Sequence, residues 1–481
     1  MDLDSLSDAE RFVLSEISSG KPASFAADNE TVYPGNPLTW DARRTISAEF
    51  LTALITNKFQ HVTIPHNGVW ITAARIVGEL NWEGIKIDYP LGLIACRIEE
   101  VFLLRDAQTT RLNFHHSYFK GILADRIKSK SSLAFRQSMF GEVGLNLSEA
   151  RVDGEIDLDG SKYQGSDYSH QNEDGNALEY GVVHPLPVSI QASGAKLTGT
   201  FRIRNVDVRG IIALNGADID GDLEVTNTKF QVTHPNVFFL QTANVGRSFI
   251  WRDIEFSGSC GVVFSHTTVN QLLDDEDSWP DGILMDSFTF KELAGNAPRT
   301  VESRLKWLNK QDPSGIFFPQ TFEALSKYYR SIGDKSSATK IVGAKFKRLQ
   351  SQPTTPPHEK ILIFLFGLLS SYGYSPVRPL VAIMLFWLAG WSVFSLANFL
   401  EIIVPAYPFS NIGTNLEFSA AWFSADLLIP FIDIGDASRW NISTYTWIGY
   451  CFKILSFIQT LSGWALATLA AATVTGVIQS D

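Results

Sequence analysis

The chain has 481 residues, enough for two or three domains, and a formal net charge of -11. That balance argues against a general nucleic-acid surface, which needs clustered Lys and Arg to neutralise phosphates. The three cysteines, Cys96, Cys260 and Cys451, are odd in number and far apart, with no CxxC pair and no disulfide framework, which fits a reducing compartment.

The first residues, MDLDSLSDAERFVLSEISSG, are acidic and lack a basic start followed by an apolar core, so no secretory signal is read there. Residues 41–57 (DARRTISAEFLTALITN) carry apolar residues at helical spacing. A helical cap is therefore assigned to 1–69, closing the first coil of a repeat region that begins near residue 70, because an open β-end invites edge pairing.

From about 70 to 275 the chain repeats itself. Leu91, Leu112 and Leu133 are 21 apart, as are Leu93, Phe114 and Phe135, then Cys96, Ser117 and Ser138, then Ile98, Phe119 and Phe140, then Val101, Ile122 and Val143. A second phrase, small-x-aliphatic-x-Gly-x-apolar, recurs as ARIVGEL at Ala74, ARVDGEI at Ala150, AKLTGTF at Ala195 and ADIDGDL at Ala217, the last two 22 residues apart. A period of 21–22 with two-residue alternation indicates stacked β-coils. No single coil buries its apolar face alone, so neighbours stack into one core. The small residue opening each phrase suits a tight corner. The fold class expected is mainly β: a parallel β-helix, pentapeptide-like in ADIDG, right-handed because the hexapeptide period of left-handed helices is missing. Residues 163–187 break the period and read as a polar loop inserted in one coil. The LxxLxL pattern of leucine-rich repeats is not found.

Residues 300–350 carry two helical patterns flanking Gly333, a helical hairpin acting as adaptor. Residues 351–378 hold a Pro-rich linker and ILIFLFGLL (361–369), too short to span and suited to a helix lying at a membrane interface beside Tyr372 and Tyr374. The membrane domain is 379–481, with spans expected at about 379–403 and 447–476, each longer than the roughly 20 residues a bilayer requires. Lys335, Lys340, Lys345, Lys347, Arg348, Lys360 and Arg378 precede the first span. The loop between the spans carries Glu401, Glu417, Asp426, Asp433 and Asp436 against Arg439. The positive-inside rule then puts the solenoid and both termini in the cytoplasm and the 405–444 loop outside.

Two features of the membrane domain invite a functional reading. DLLIPFIDIGD (426–436) lies either at the outer interface, leucines on lipid and acids in water, or dips into the outer leaflet and returns, with Asp426, Asp433 and Asp436 at the mouth of a pore if several subunits meet there. The TVGYG-type filter is absent. Gly463, Ala467, Ala471 and Thr475 recur every four residues, a stripe that lets helices approach closely within or between subunits. Lys453 is expected to snorkel to the interface, and Gln459, deeper in the span, needs a polar partner. Elsewhere, Arg202 and Glu224 are 22 apart and are expected to pair between coils. Asp153, Glu155, Asp157, Asp159, Asp218, Asp220 and Asp222 read as solubilising outward acids, and the adjacent His115 and His116 face opposite ways and cannot chelate one metal together. No catalytic, cofactor-binding or metal-binding residues are assigned: there is no GxGxxG after a strand, P-loop, HExxH or GxSxG.

The stretches RTISAEFLTALI, ARIVGELNWEGIKIDYPL, FFPQTFEALSKYYRSIGDKSSATKIVGAKFKRLQ, SSYGYSPVRPL, DLLIPFIDIGD and GWALATLAAATVTGVIQ together make the chain resemble a group of poorly characterised bacterial proteins, pentapeptide-repeat-like β-solenoids with two C-terminal transmembrane helices. Members of that group are sometimes labelled membrane-associated oxidoreductase, although no nucleotide fingerprint, CxxC or haem motif stands here for a redox role. Some pentapeptide-repeat proteins end in a two-helix ion-channel module of similar layout. The expectation is a multi-pass protein of the cell inner membrane and a homo-oligomer. Its cytoplasmic solenoid is read as a non-enzymatic binding or assembly scaffold for a cytoplasmic protein partner, without nucleic acid or cofactors. The alternative is a two-helix ion channel or membrane-perturbing effector regulated by the solenoid.

Overall fold

The computed structural model describes residues 5–27, 30–36, 40–59, 62–165, 188–231, 234–311, 317–406, 417–429, 434–435 and 437–475. The chain divides into two compact units, Met1–Gly333 and Asp334–Asp481.

The first unit is a parallel β-solenoid of about 9 coils. Each full coil contributes to four ladders of in-register strands. One ladder runs through Val69, Leu91, Leu112, Leu133, Ile156, Phe201, Leu223, Phe249 and Leu272. Another runs through Ile76, Ile98, Phe119, Phe140, Tyr163, Val208 and Phe230. The 21-residue spacings of Leu91, Leu112 and Leu133 and of Ile98, Phe119 and Phe140 are thus true register columns. The Phe and Tyr members are buried and stack ring on ring, Phe119 on Phe140 at 5.6 Å and Phe140 on Tyr163 at 4.7 Å. Burying each such ring contributes about 1.5–3 kcal/mol, and stacked coils are the only place these faces find cover.

One expected column does not form. Ile122 pairs with Phe102 on one side and Leu145 on the other, not with Val101 and Val143. A bulge between Phe140 and Gly144 shifts the register, and Val101 and Val143 instead meet in a side cluster with Leu103 and Leu123. The repeated phrase also proves to mark two corners. The N–H of the residue after Ala150 and after Ala195 bonds within one ladder, whereas Ala74 opens a different corner, shared with Cys96, Ser117 and Ser138. At both corners the residue before the small one is left-handed, for example Ala73, Ala95, His116 and Gln137 at one and Asp106 and Glu149 at the other. The chain reverses direction there, and the small side chain turns into the core. Ser117 and Ser138 use that inward position to bond the coil below, Ser117 Oγ donating to the Leu93 carbonyl at 3.0 Å and Ser138 Oγ to that of Phe114 at 2.6 Å. Of the loop expected at 163–187, Tyr163 instead lies in a strand and pairs with Val208, the next strand begins at Val188, and 166–187 lie outside the described residues.

Helices close both ends of this unit. At the start, α1 (Asp8–Ser18) is a helix that the acidic N-terminal sequence did not announce, and α2 (Ala48–Ile55) occupies the expected cap. Glu10 joins them: it completes the capping box with Ser7 and accepts from the Ser47 N–H at 3.0 Å and hydroxyl at 2.7 Å. Burial alone would raise its carboxyl, but the bonds from Ser47 and Ser7 outweigh it and hold it below the usual range. At the other end sits α3 (Val301–Asn309). Its Arg304 donates to both oxygens of Asp274, each at 2.7 Å and both side chains buried. Trp279 stacks on Trp251 and meets Trp307 at a tilt across the last coils. The helix α4 (Gln320–Ser331) follows and packs Tyr328 toward Phe290, and Gly333 ends it in the left-handed region.

The second unit holds α5 (Lys335–Ser351), α6 (Pro357–Ser370), α7 (Val377–Phe399), α8 (Ala420–Leu428) and α9 (Trp447–Val474). α7 and α9 are long and apolar enough to cross a membrane. They also keep large apolar side chains outward, among them Leu380, Met384 and Trp391 on α7 and Ile454, Phe457 and Leu461 on α9. A short antiparallel strand pair, Ile403–Pro405 with Trp440–Ile442, ties the end of α7 to the approach to α9.

Candidate functional sites

The loop between α7 and α9 carries the short helix α8. α8 does not rest at the helix ends. Its Ser424 hydroxyl donates to the Trp387 carbonyl at 3.0 Å, and Gln459 Nε2 donates to Ser424 Oγ at 2.6 Å and to the Ser424 carbonyl at 3.0 Å. Trp387 Nε1 donates in turn to the Ala421 carbonyl at 3.0 Å. At 1.5 Å per residue, Trp387 lies about 15 Å along α7 and Gln459 about 18 Å along α9. α8 is therefore wedged between the mid-portions of both helices, and Gln459 finds its partner there. Glycine makes the close approach possible: a Cβ on Gly390 would collide with Ser424 Oγ and the Gln459 amide, and one on Gly463 would meet the Leu428 carbonyl.

Asp426 sits on the last turn of α8 and serves the loop backbone, accepting from the Ile434 N–H at 2.9 Å and the Ala437 N–H at 2.6 Å. Asp433 and Asp436 lie outside the described residues. The buried seam of α9 runs Gly449, Phe452, Ser456, Gln459, Gly463, Leu466, Ala470 and Thr473, spacings of three and four. Of the small-residue stripe, Gly463 is on that seam, Ala467 is half-buried, and Ala471 and Thr475 are exposed. A strict four-residue step rotates about 40° per turn away from a 3.6-residue helix face. Lys453 reaches its Nζ over the Phe457 ring at 5.5 Å.

On the solenoid, Arg202 pairs with Glu224 at 3.2 Å as its spacing implies, and also reaches Glu155 at 3.0 Å and Asp157 at 3.2 Å. Asp157 is buried and shared with Arg136 at 2.6 Å. Burial pushes its carboxyl up, but the Asp159 N–H and Arg136 more than offset this, and the net shift is downward. This face is a neutralised ion-pair ladder. The acids of 274–277 are likewise engaged: Asp275 accepts from the N–H groups of Asp253, Asp277 and Ser278, and Glu276 holds Lys306 at 2.7 Å.

A second face is not neutralised. Lys86, Gln108, Lys128, Arg151 and Lys196 stand in successive positions of one ladder, with Asp218 next. Neighbouring strands are about 4.8 Å apart, so Lys128, Arg151 and Lys196 bring three like charges directly side by side, an unfavourable arrangement. Lys86 pairs with Asp88 at 2.8 Å; Lys128, Lys130, Arg151 and Lys196 have no ion-pair partner among the described residues. Lys86, Lys128, Lys130 and Arg151, with the flanking Asp88 and Asp153, border a groove of about 310 Å³. The sequence carried a signal for it: the second residue of the repeated phrase is cationic in ARVDGEI and AKLTGTF before ADIDGDL reverses the sign.

Burial pushes the Cys96 thiol up to about 12 and that of Cys260 up to about 11, so neither is a nucleophile near neutrality. His115 is half-buried, which with Arg136 depresses its basicity, and His116 occupies a left-handed corner. Among the described residues no group of three or more His, Cys, Asp or Glu could hold a metal ion. Comparison with known proteins gives no matching family model, no matching curated protein and no matching solved structure, and so lends no support to a pentapeptide-repeat or oxidoreductase label.

Proposed function

We propose that the protein is a non-enzymatic, membrane-held scaffold, whose solenoid offers its cationic ladder to an acidic segment of a partner protein. In this reading α7 and α9 fix the chain in the inner membrane as a multi-pass homo-oligomer, with solenoid and termini on the cytoplasmic side. The observation that carries it is the run of Lys128, Arg151 and Lys196 in one register column, none of them in an ion pair among the described residues. A folded protein tolerates stacked like charges at a cost, and an anionic ligand removes that cost on binding. The test is fluorescence anisotropy of a labelled oligo-glutamate peptide titrated with the full-length protein in detergent. Binding that weakens as salt rises, and that a Lys128→Glu/Lys196→Glu variant with unchanged melting loses, is the expected result. No binding at low salt, or equal binding by the variant, defeats the reading.

A second reading has its own support in α8. A short helix wedged between two membrane-capable helices, with its C-terminal, electronegative end against Gly463, suits a cation path formed where several copies meet. Ion flux through liposomes holding the full-length protein, compared with Asp433→Ala, tests it. Flux that the substitution abolishes or reselects supports the path. No flux with inserted protein counts against a constitutively open one.

A further inference from the structure

We infer that α5 and α6 form a docking element for an anionic phospholipid leaflet, binding both acyl chains and headgroups. The inference rests on the membrane reading of α7 and α9 and adds a lipid preference that this reading does not require.

α6 turns Ile363, Phe366, Gly367 and Ser370 inward and leaves Ile361, Leu362, Phe364, Leu365 and Leu368 outward, Leu362 being 63% and Leu368 59% exposed. Its apolar run of nine residues is about 13 Å long, well short of the roughly 30 Å hydrocarbon core. Such a helix lies at the interface, its apolar face sunk several ångströms.

The helix is held rigidly in that pose. Phe346 of α5 stacks on Tyr372 at 4.7 Å and meets Phe366 edge-on at 6.2 Å. A Cβ on Gly367 would lie 2.6 Å from the Tyr372 ring. Ser371, Tyr372 and Gly373 are all left-handed, so the chain reverses sharply between α6 and α7. α6 thus stays within one tight turn of a helix long and apolar enough to cross a membrane.

Cations bracket the apolar face. Lys360 lies at the start of α6, its carbonyl bonded by Gln350 of α5 at 3.2 Å. Arg378 lies at the other end, donating to the Gly367 carbonyl at 3.1 Å. α5 adds Lys340, Lys345, Lys347 and Arg348, and from 335 to 378 Glu359 is the sole acid. The chain as a whole carries -11, so this local excess of positive charge runs against the overall balance. An apolar face rimmed by cations matches the layering of a leaflet, acyl chains beneath and phosphates above. Each basic residue near an anionic surface strengthens binding about fivefold.

The experiment places an environment-sensitive fluorophore at Leu365→Cys in a Cys451→Ser background, Cys96 and Cys260 being buried. The full-length protein is reconstituted in phosphatidylcholine–phosphatidylglycerol vesicles doped with spin-labelled phosphatidylglycerol or spin-labelled phosphatidylcholine at equal mole fraction. Quenching several-fold stronger by the anionic quencher is expected. That preference should shrink at high salt and in Lys347→Gln/Lys360→Gln, Lys347 being exposed and Lys360 half-buried. Equal quenching by both lipids overturns the inference and leaves the membrane reading standing. Quenching by neither lipid in carbonate-resistant vesicles places α6 away from the leaflet and also overturns it. Protein that washes off the vesicles overturns the membrane reading and the inference together.

Discussion

Consider Asp274→Ala at the closed end of the solenoid. Asp274 and Arg304 are each 1% exposed, and two bonds of 2.7 Å join them. Trp279 Nε1 also donates to Asp274, at 2.9 Å. Removing the carboxylate leaves a guanidinium buried without its counter-charge and an indole N–H without an acceptor. Breaking a buried pair from one side costs about 3–5 kcal/mol, whereas replacing both partners by apolar groups of similar volume is near neutral or better. Terminal coils of a solenoid are stabilised by only one neighbour, so the loss should appear as local opening. Hydrogen exchange of the full-length protein, read over Thr268–Asp274, Gly282–Leu284 and Val301–Asn309, measures that opening. Asp274→Ala should accelerate exchange there by roughly two to four orders of magnitude, and Asp274→Leu/Arg304→Met should restore most of the protection. A single variant that changes exchange less than about fivefold, or a double variant as open as the single, would refute the reasoning.

Two other outcomes rest on the same kind of physics. Gly390→Ala sets a methyl against Ser424 Oγ and the Gln459 amide and should lower the melting temperature in detergent, by about 1–3 kcal/mol of lost hydrogen bonding; in a Gln459→Ala background the same change should cost much less. Asp157 has a depressed folded-state carboxyl, so its contribution is complete above the unfolded value near 3.9 and is lost as pH falls through the lower folded value. Protection at Phe201–Arg204, relative to the intrinsic exchange rate at each pH, should hold down to about pH 4 and fall below it, and Asp157→Asn should flatten that acid step.

Much of the fold is legible in the sequence because a solenoid repeats one local solution. The 21-residue columns of Leu91 and Ile98, the inward serines, the Arg202–Glu224 pair and the two long apolar helices all follow from period and composition. The exceptions share one cause. Val101, Ile122 and Val143 keep the period but lose the register, because the bulge at 140–144 is set by how the coils stack. ARIVGEL and ARVDGEI look alike yet occupy different corners, since a corner asks only for a left-handed residue followed by a small one.

The sequence by itself determined the coil period, the aromatic core and the presence of apolar helices, because each depends on near neighbours or on residues one coil apart. Only the tertiary structure decided which cations share a ladder, that Asp426 caps its own loop, and that Gln459 meets Ser424. Those pairings join residues 35 positions apart or set strands side by side across coils of unequal length, 23 residues from Lys128 to Arg151 and 45 from Arg151 to Lys196. No local pattern fixes such distances; the packing of one helix between two others, and of one coil on the next, does.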